Sequence, residues 1–406
     1  MSLVALAAVA VSTGAMAQVT ISGNLNINAV NNDKTTTQKT STDAATTDKT
    51  VGTGSKEGWT ASQIAFSGTE DLGGGLTASF FVAQRLNATA SQALGGGRDT
   101  FLGLSGGFGS VRIGQFIPAS AAGFHAFTGA RTTNQAGSVY GLLTSGENVF
   151  GNASDKSGSF ERQTAVIQYT TPSFNGFTVN ASYGKNGVDK SGVAGDGNTT
   201  QHGLSFAYSA GPLAVGGGTN QRKVNTELVA GSAATGFCAD DDGDTVATST
   251  AATSCGSGAT LMVINAGTDE EAAASHKAKL NWLGASYDLG VARVMVAHVR
   301  RTTDTTEAGT ATVRATDIKT NAVGVHVPMG AFTLAASTYS GKNNKAANDS
   351  SDDLKLSGHQ LSVTYALSKR TTIYAATGEN KTKRAGTNTG ETVKRTSHAV
   401  GLMHSF

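Results

Sequence analysis

Arginine is the residue type in this chain that is best placed to act on charged solutes. Arg112 lies between Val111 and Ile113, and Arg162 lies in a segment where polar and apolar residues alternate. Successive side chains of a β-strand point to opposite faces, so an arginine between two apolar residues lies on the wet face. A ladder of such residues along a water-filled passage guides anions. The pattern therefore predicts a basic wet face, which would be the inner wall if the strands enclose such a passage.

Arg85 and Arg98 are candidates for the same wall. Arg98 lies near the start of its alternating segment, which places it either at the rim or in the wall. Phe81, an unusual residue for a wet face, shares the face predicted for Arg85. The arginines either form a selective ladder or are solvated charges in a wide pore without selectivity. The predicted face of Arg85 also carries Thr77, Ser79 and Ala83, and that of Arg162 carries Thr164, Val166 and Gln168.

The segment 118–160 is too long for a simple connection between two strands, and loops of this length are usually functional. It carries titratable side chains of both signs. Its acids either oppose the wall arginines across an opening, where they would create a transverse field, or lie at the exterior surface. The residues concerned are His125, Arg131, Glu147, Asp155 and Lys156.

Motifs for catalysis, cofactor binding and metal binding are not supported. Glu70 and Asp71 are adjacent, but they lie in a tight turn without a nearby histidine or serine. The glycine runs 73–75 and 95–97 lack the Lys and Ser/Thr of a phosphate-binding loop, and the 8 histidines are not at metal-ligand spacing. The sequence thus predicts no enzyme activity and no cofactor. A net charge of only +2 argues against a nucleic-acid partner.

Cys238 and Cys255 are the 2 cysteines of the chain, and both lie in the long polar segment 223–275. Two cysteines within one loop of an exported protein oxidise to each other rather than bind a metal, so a disulfide between them is predicted. The acids between them either form a solvated loop or bind calcium weakly; they are Asp240, Asp241, Asp242 and Asp244.

The amino end predicts export. Residues 1–17 form an apolar run with an A-x-A ending, so signal-peptidase cleavage is expected between Ala17 and Gln18. The run is too short for a membrane-spanning helix, which needs about 20 residues. Hydrophobic residues make up only 38% of the chain and mostly occur at alternate positions. This distribution is typical of strands with one apolar face and one wet face.

Sixteen alternating segments are present, and short and long connections take turns between them. The short connections contain Gly, Pro, Asn or Asp, which reverse a chain within a few residues. Short turns at one end and long loops at the other are typical of a transmembrane β-barrel. The segments are 19–29, 60–68, 76–86, 99–105, 110–117, 161–170, 177–185, 202–209, 213–222, 276–287, 291–301, 318–327, 331–340, 357–366, 371–380 and 394–406.

The last residues, 397–406, indicate how such a barrel closes. A sheet in a bilayer must satisfy all of its backbone groups, which requires the last strand to pair with the first. We therefore predict that 397–406 pairs with 18–29. The apolar face of the closing strand carries His398, Val400, Leu402, His404 and Phe406.

Long stretches of the sequence resemble the general porins of Gram-negative bacteria, especially their beta-proteobacterial branch. The motifs that carry the resemblance are "SQIAFSGTEDLGGGLTASFFVAQ" (62–84), "DTFLGLSGGFGSVRIGQF" (99–116), "IQYTTPSFNGFTVNASYG" (167–184) and "VGLMHSF" (400–406). The resemblance implies an all-β fold over 18–406, a 16-stranded antiparallel barrel that forms a homotrimer. It implies that 118–160 folds inward as a constriction and that 223–275 lies outside. Phe406, with His404 and Leu402, would be the signal that the barrel insertion machinery reads.

The resemblance further implies an outer-membrane channel for passive diffusion of ions and small hydrophilic solutes, surrounded by lipid and lipopolysaccharide. Gln63 and Ser67 stand where this branch often has arginine, and Met403 stands where a basic residue is common. The basic residues near the expected constriction still predict a weak anion preference. The alternative function is a surface binding protein, an adhesin or phage receptor, on a barrel with little conductance.

Overall fold

The fold is described by a computed structural model for residues 19–39, 45–54, 61–87, 94–131, 136–139, 162–186, 197–226, 235–239, 245–249, 260–265, 274–307, 311–344, 353–385 and 390–406. Sixteen strands form a closed antiparallel barrel, which confirms the predicted fold class. Each of the sixteen alternating segments coincides with one barrel strand. No helix in these ranges is long and apolar enough to cross a membrane.

The strands are numbered in chain order, and the two helices with described bounds lie between the sixth and seventh strands. The strands are β1 (Thr20–Lys39), β2 (Ala45–Gly54), β3 (Gln63–Gly73), β4 (Leu76–Leu86), β5 (Leu94–Gly106), β6 (Gly109–Phe116), β7 (Gln163–Thr170), β8 (Phe177–Asn186), β9 (Gly197–Ala210), β10 (Leu213–Thr226), β11 (Thr235–Ala239), β12 (Thr245–Ser249), β13 (Thr260–Asn265), β14 (Ala274–Asp288), β15 (Arg293–Glu307), β16 (Val313–Met329), β17 (Phe332–Asn343), β18 (Asp353–Ala366), β19 (Thr371–Ala385) and β20 (Gly390–Ser405). The helices are α1 (Ala119–Ala122) and a 3-10 helix (Gly123–Phe127).

Four strands lie outside the predicted set. Strand β2 pairs with residues 28–37 of β1, and β3 pairs with residues 20–24. The two strands together therefore follow one edge of β1 along most of its length. Strands β11, β12 and β13 form a separate three-stranded sheet within the segment 223–275. Strands β2, β11 and β12 are rich in Thr, Ala and Gly, and β13 carries the continuous apolar run 261–264, so none of them shows the period-two alternation of a barrel strand.

Strands β1 and β20 close the barrel. They pair antiparallel from Asn24 opposite Ser405 to Lys39 opposite Gly390. Beyond the ladder, the backbone N–H of Gly23 donates to the carbonyl of Phe406 and the N–H of Phe406 donates to that of Gly23, both at 3.0 Å. The predicted pairing of the last strand with the first is therefore confirmed.

The two faces of the barrel differ as the alternation predicts. Along β14, Leu283 and Tyr287 are exposed on the outer face, whereas Leu280 and Trp282 are buried on the inner face. Strand β20 shows the same separation, with Val400 and the other apolar-face residues pointing outward. Outward apolar side chains are what a bilayer requires of a spanning strand.

The short turns use aspartate and glycine together. Asp71 Oδ1 accepts a hydrogen bond of 2.9 Å from the N–H of Gly73, and Asp288 Oδ1 accepts one of 2.8 Å from Gly290. Both glycines have positive φ angles, +82° and +81°, which glycine adopts without strain. Asp71 therefore has a structural role in its turn.

Candidate functional site

The connection that follows β6 lies inside the barrel. The rings of Phe124 and Phe127 are buried, and Phe127 packs against Trp282 of β14 with ring centroids 6.2 Å apart. Trp282 Nε1 donates a hydrogen bond of 2.9 Å to the carbonyl of Ser120. Because the neighbouring Leu283 is exposed on the outer face, these contacts place the connection on the inner face.

The connection then follows the inner wall across many strands. Helix α1 contacts β8, β9 and β10, and the 3-10 helix contacts β10, β14, β15 and β16. Gly129 lies so close to Gly324 of β16 that a Cβ atom on either residue would collide with the other backbone. The N–H of Arg131 donates to Gln360 Oε1 of β18 at 3.1 Å. This part of the chain therefore narrows the interior.

Arg112 faces this narrowed interior. Its neighbour Ile113 is exposed on the outer face, while the guanidinium of Arg112 lies over the ring of Phe116, 4.1 Å from the centroid. Arg112 Nη2 donates to Gln168 Oε1 at 3.4 Å, and the same oxygen accepts a 3.0 Å hydrogen bond from the N–H of Ala119. Gln168 thus connects the arginine to the start of the inward connection.

Aromatic rings support the position of Arg112. Phe81 stacks on Phe101 with centroids 5.5 Å apart, and Phe101 meets Phe116 edge-on at 5.9 Å. The guanidinium of Arg112 lies 5.5 Å from the Phe101 centroid. A cation over aromatic rings is stabilised by about 0.5–2 kcal/mol per pair, depending on its desolvation. Phe81, which was unexpected on a wet face, is thereby part of an interior aromatic cluster.

Arg162 comes directly before β7, and its side chain lies beside the buried Gln163 on the inner side, where both line one cavity. Alternation groups Arg162 with Thr164, Val166 and Gln168, and it does not predict that Gln163 faces inward as well. The cause is a β-bulge: Ala165 has a φ of +53°, and the β6–β7 register shifts there. The bulge shifts the alternation of β7 by one residue, which the sequence pattern does not indicate.

Asp99 holds Arg162 in this position. The Nε of Arg162 donates to Asp99 Oδ1 at 2.5 Å, and the two side chains are 22% and 33% exposed. Asp99 precedes the inward-facing Phe101 by two positions on β5, and it also attracts Arg112 electrostatically. The sequence analysis missed Asp99, although its two-residue spacing from Phe101 was a usable signal.

A small polar cavity lies beside Arg162. Arg162 and Arg222 of β10 line it together with Gln163 and Gln201. Arg222 is a wall cation that the sequence analysis missed, and its inward direction follows from the buried Asn220 two positions away. The inner faces of other strands carry further missed arginines, namely Arg293, Arg301 and Arg395.

Of the other predicted charged residues, the structure describes Arg85 and Arg98. Arg85 lies opposite Gln63 on β3, two positions from the buried Ala83 of the inner face. Arg98 lies where the β4–β5 register is irregular, and its carbonyl accepts a 3.1 Å hydrogen bond from Gln115 Nε2. Glu147, Asp155 and Lys156 lie outside the described residues, so an acidic face opposite the arginines stays a prediction.

Burial changes the titration of two groups on the inward connection. Burial lowers the pKa of His125 from its ordinary value of 6.5, so the imidazole is neutral at pH 7. Burial also lowers the pKa of Arg131, but a guanidinium stays charged in proteins at neutral pH. At neutral pH, Arg131 is therefore charged and His125 is not.

The remaining predicted residues lie on or next to strands β11 and β20, or outside the described residues. Cys238 lies on β11, and Cys255 lies outside the described residues, as do Ala17, Gln18 and Asp240–Asp244, so the disulfide, the cleavage site and the acidic loop stay predictions. His404 and Leu402 point outward on β20 beside Phe406. Within the described ranges, no three His, Cys, Asp or Glu side chains are grouped to hold a metal ion.

Comparisons with known proteins agree with this architecture. Residues 3–385 match the Gram-negative porin family. The outer membrane porin protein 32 of Delftia acidovorans is 28% identical over 439 aligned positions, which cover 100% of this chain and 99% of that protein. The major outer membrane protein P.IB of Neisseria lactamica is 29% identical over 217 positions, 52% of this chain and 58% of that protein.

Solved structures show the same fold. An anion-selective porin from Comamonas acidovorans superimposes with a TM-score of 0.62 and 22% identity, covering 96% of this chain and 100% of that one. The trimer form of OmpT from Vibrio cholerae has a TM-score of 0.56 and 15% identity, with 96% and 99% covered.

Proposed function

Because the chain belongs to the Gram-negative porin family and is an outer-membrane β-barrel that serves as a passive diffusion channel, we propose that it prefers small anions and functions as a homotrimer. Its relatives are porins rather than enzymes. The proposed solutes are ions and small hydrophilic molecules. The proposed partners are two further copies of the chain, the barrel insertion machinery and the surrounding lipid and lipopolysaccharide.

The observation that carries the anion preference is the position of Arg112. It faces the interior at the point where the inward connection begins, and Gln168 links the two. A passage with low-dielectric walls concentrates the field of such a charge. Arg222 and Arg131 add positive charge along the same interior, whereas Asp99 offsets part of it.

Two similarities support the proposed anion preference and the proposed trimer. The Comamonas structure is titled an anion-selective porin, and one Vibrio structure is titled a trimer. The closing strand, which ends at Phe406, is proposed as the signal for the insertion machinery. Residues 1–17 are proposed as a signal peptide. The segment 118–160 is proposed as the constriction and 223–275 as an external loop.

A planar-bilayer recording tests the channel. Purified protein should give stable conductance steps on the nanosiemens scale, grouped in threes for a trimer. A silent barrel would favour the surface binding function instead.

The anion preference is tested in a salt gradient. The wild-type zero-current potential should have the sign of an anion-preferring pore, and Arg112→Gln combined with Arg162→Gln should move it toward cation preference. Lys185→Gln is the control, because Lys185 is a cation on the outer face of β8, in line with the exposed Tyr183. A wild-type pore that prefers cations, or a double variant with an unchanged potential, would refute the assignment.

A further inference from the structure

The outer face of the barrel carries a row of directly opposed cations on five consecutive strands. Arg300 of β15 lies opposite Lys319 of β16, which lies opposite Lys342 of β17. Lys342 lies opposite Lys355 of β18, which lies opposite Lys383 of β19. These five residues are called the cation row below.

The cation row lies outside the barrel and above its apolar band. Lys319 alternates with the buried Ile318 and Thr320, and Lys355 lies between the buried Leu354 and Leu356, so both lysines point outward. On β16 the exposed apolar residue Val323 lies four positions toward the short turn, about 13 Å along the strand at about 3.3 Å per residue. The row therefore lies at the long-loop border of the apolar band, where headgroups of the outer leaflet lie.

Opposed like charges destabilise a sheet, so the row requires anions nearby. Asp317 supplies one: its carboxylate contacts Arg300 at 2.8 Å and Lys319 at 3.9 Å. Among the described residues, no carboxylate pairs with Lys342, Lys355 or Lys383, and all three side chains are exposed. The positive charge at their end of the row is left for an external ligand.

We propose that the cation row binds the phosphate groups of lipopolysaccharide headgroups in the outer leaflet. Lysines beside an apolar band attract anionic lipid, and their long side chains reach phosphates at slightly different depths. The row is separated from the channel by the barrel wall, so it does not contribute to the inner basic surface. A second copy of the chain is a poorer occupant, because the face presents one sign of charge over several strands.

Neighbouring strands extend the positive surface. Lys381 of β19 lies opposite Lys394 of β20, where Glu379 neutralises Lys394 at 2.8 Å. Lys223 of β10 lies opposite Lys277 of β14. These pairs flank the cation row on both sides and have the same outward direction, as the exposure of Lys223, Lys277 and Lys394 indicates.

The test is lipid binding by the full-length protein in neutral detergent, measured by native mass spectrometry. The probes are diphosphorylated lipid A and the same lipid without phosphates. Lys342→Gln combined with Lys355→Gln should weaken binding of the phosphorylated lipid roughly ten- to thirtyfold, since each cation near an anionic lipid surface contributes about a factor of five. The wild type and this double variant should bind the dephosphorylated lipid equally.

Lys185→Gln combined with Lys369→Gln is the matched control, because it removes two exposed lysines outside the row. It should bind the phosphorylated lipid as the wild type does. Without lipid, the row variant should melt at a higher temperature than the wild type, because repulsion has been removed. Its single-channel conductance should be unchanged, which separates this proposal from the proposed function.

Several results would overturn the proposal. Equal losses in the row variant and the control would mean that the row is not a site. Equal binding of phosphorylated and dephosphorylated lipid would exclude phosphate recognition. Displacement of the bound phosphorylated lipid by an equal concentration of inorganic phosphate would exclude a lipid-specific surface. A row variant that changes oligomeric state but not lipid binding would assign the face to a second copy.

Discussion

At the scale of single residues, glycines set how closely the inward connection approaches the wall. Gly129 and Gly324 touch through their backbones, and Gly284 lies beneath the ring of Phe127. A side chain at any of these positions would fill the space that the connection occupies. The inner wall is therefore shaped to receive the connection.

Gly129→Ala should detach this part of the connection. Gly129 has a φ of +72°, and its Cβ would collide with Gly324. Gly74→Ala is the control, because Gly74 has a similar φ of +62° but nothing within 4 Å of its Cβ position. Both variants carry about 1–2 kcal/mol of backbone strain, and only Gly129→Ala adds a collision. Bilayer recordings should show larger, noisier conductance for Gly129→Ala alone; identical traces would contradict this.

His125 should make the inward connection sensitive to acid. Its folded pKa lies below the ordinary 6.5 because of burial, so the neutral form stabilises the fold. That stabilisation is present above about pH 6.5 and is lost as the pH falls through the folded pKa. Hydrogen exchange of amides 123–127, corrected for intrinsic rates, should accelerate from pH 7 to pH 5.

His125→Gln should abolish this pH dependence, because glutamine does not titrate. His298→Gln, which changes an exposed histidine on the outer face of β15, should leave it intact. A wild-type profile that is flat in pH, or one that persists in His125→Gln, would show that the imidazole does not control the packing of the connection.

At the scale of elements, the alternation located every barrel strand because one face must be apolar and the other wet. It did not locate β2 or β11–β13, which have no such requirement. It also did not reveal the bulge at Ala165, which places both Gln163 and Val166 on the inner face of β7. The route of the inward connection depends on contacts such as that between Ser120 and Trp282, which are 162 residues apart. Local pattern carries no information on such a pairing.

The closing strand should be essential for assembly. Phe406 exchanges two backbone hydrogen bonds with Gly23, and its ring lies in the space above that glycine. Phe406→Ala should strongly reduce the heat-modifiable folded species in outer-membrane fractions, because it removes the proposed recognition residue at the closing seam. Phe332→Ala, which removes an outward ring paired with Tyr365 at 4.5 Å, is the control and should assemble. Normal assembly of Phe406→Ala would disprove the role.

At the scale of the whole molecule, net charge and channel charge are separate quantities. The chain carries a formal charge of +2, but many of its lysines lie on the outer face and do not border the passage. The inner wall is richer in arginine, with Asp99 as a described counter-charge. Selectivity is therefore set by a few inner residues, whereas the outer lysines act at the lipid surface.

Asp99 gives the sharpest test of this separation. It pairs with Arg162 and attracts Arg112, so Asp99→Asn should leave both arginines less neutralised and move the zero-current potential further toward anion preference. Arg162→Gln should move it in the opposite direction, and the double variant should return close to the wild type. Asp288→Asn, in an exposed short turn, is the control. All shifts should shrink as salt rises, because the Debye length falls to roughly 3 Å at about 1 M. If Asp99→Asn and Asp288→Asn give the same potential, Asp99 does not border the passage and the charge balance of the inner wall must be assigned to other residues.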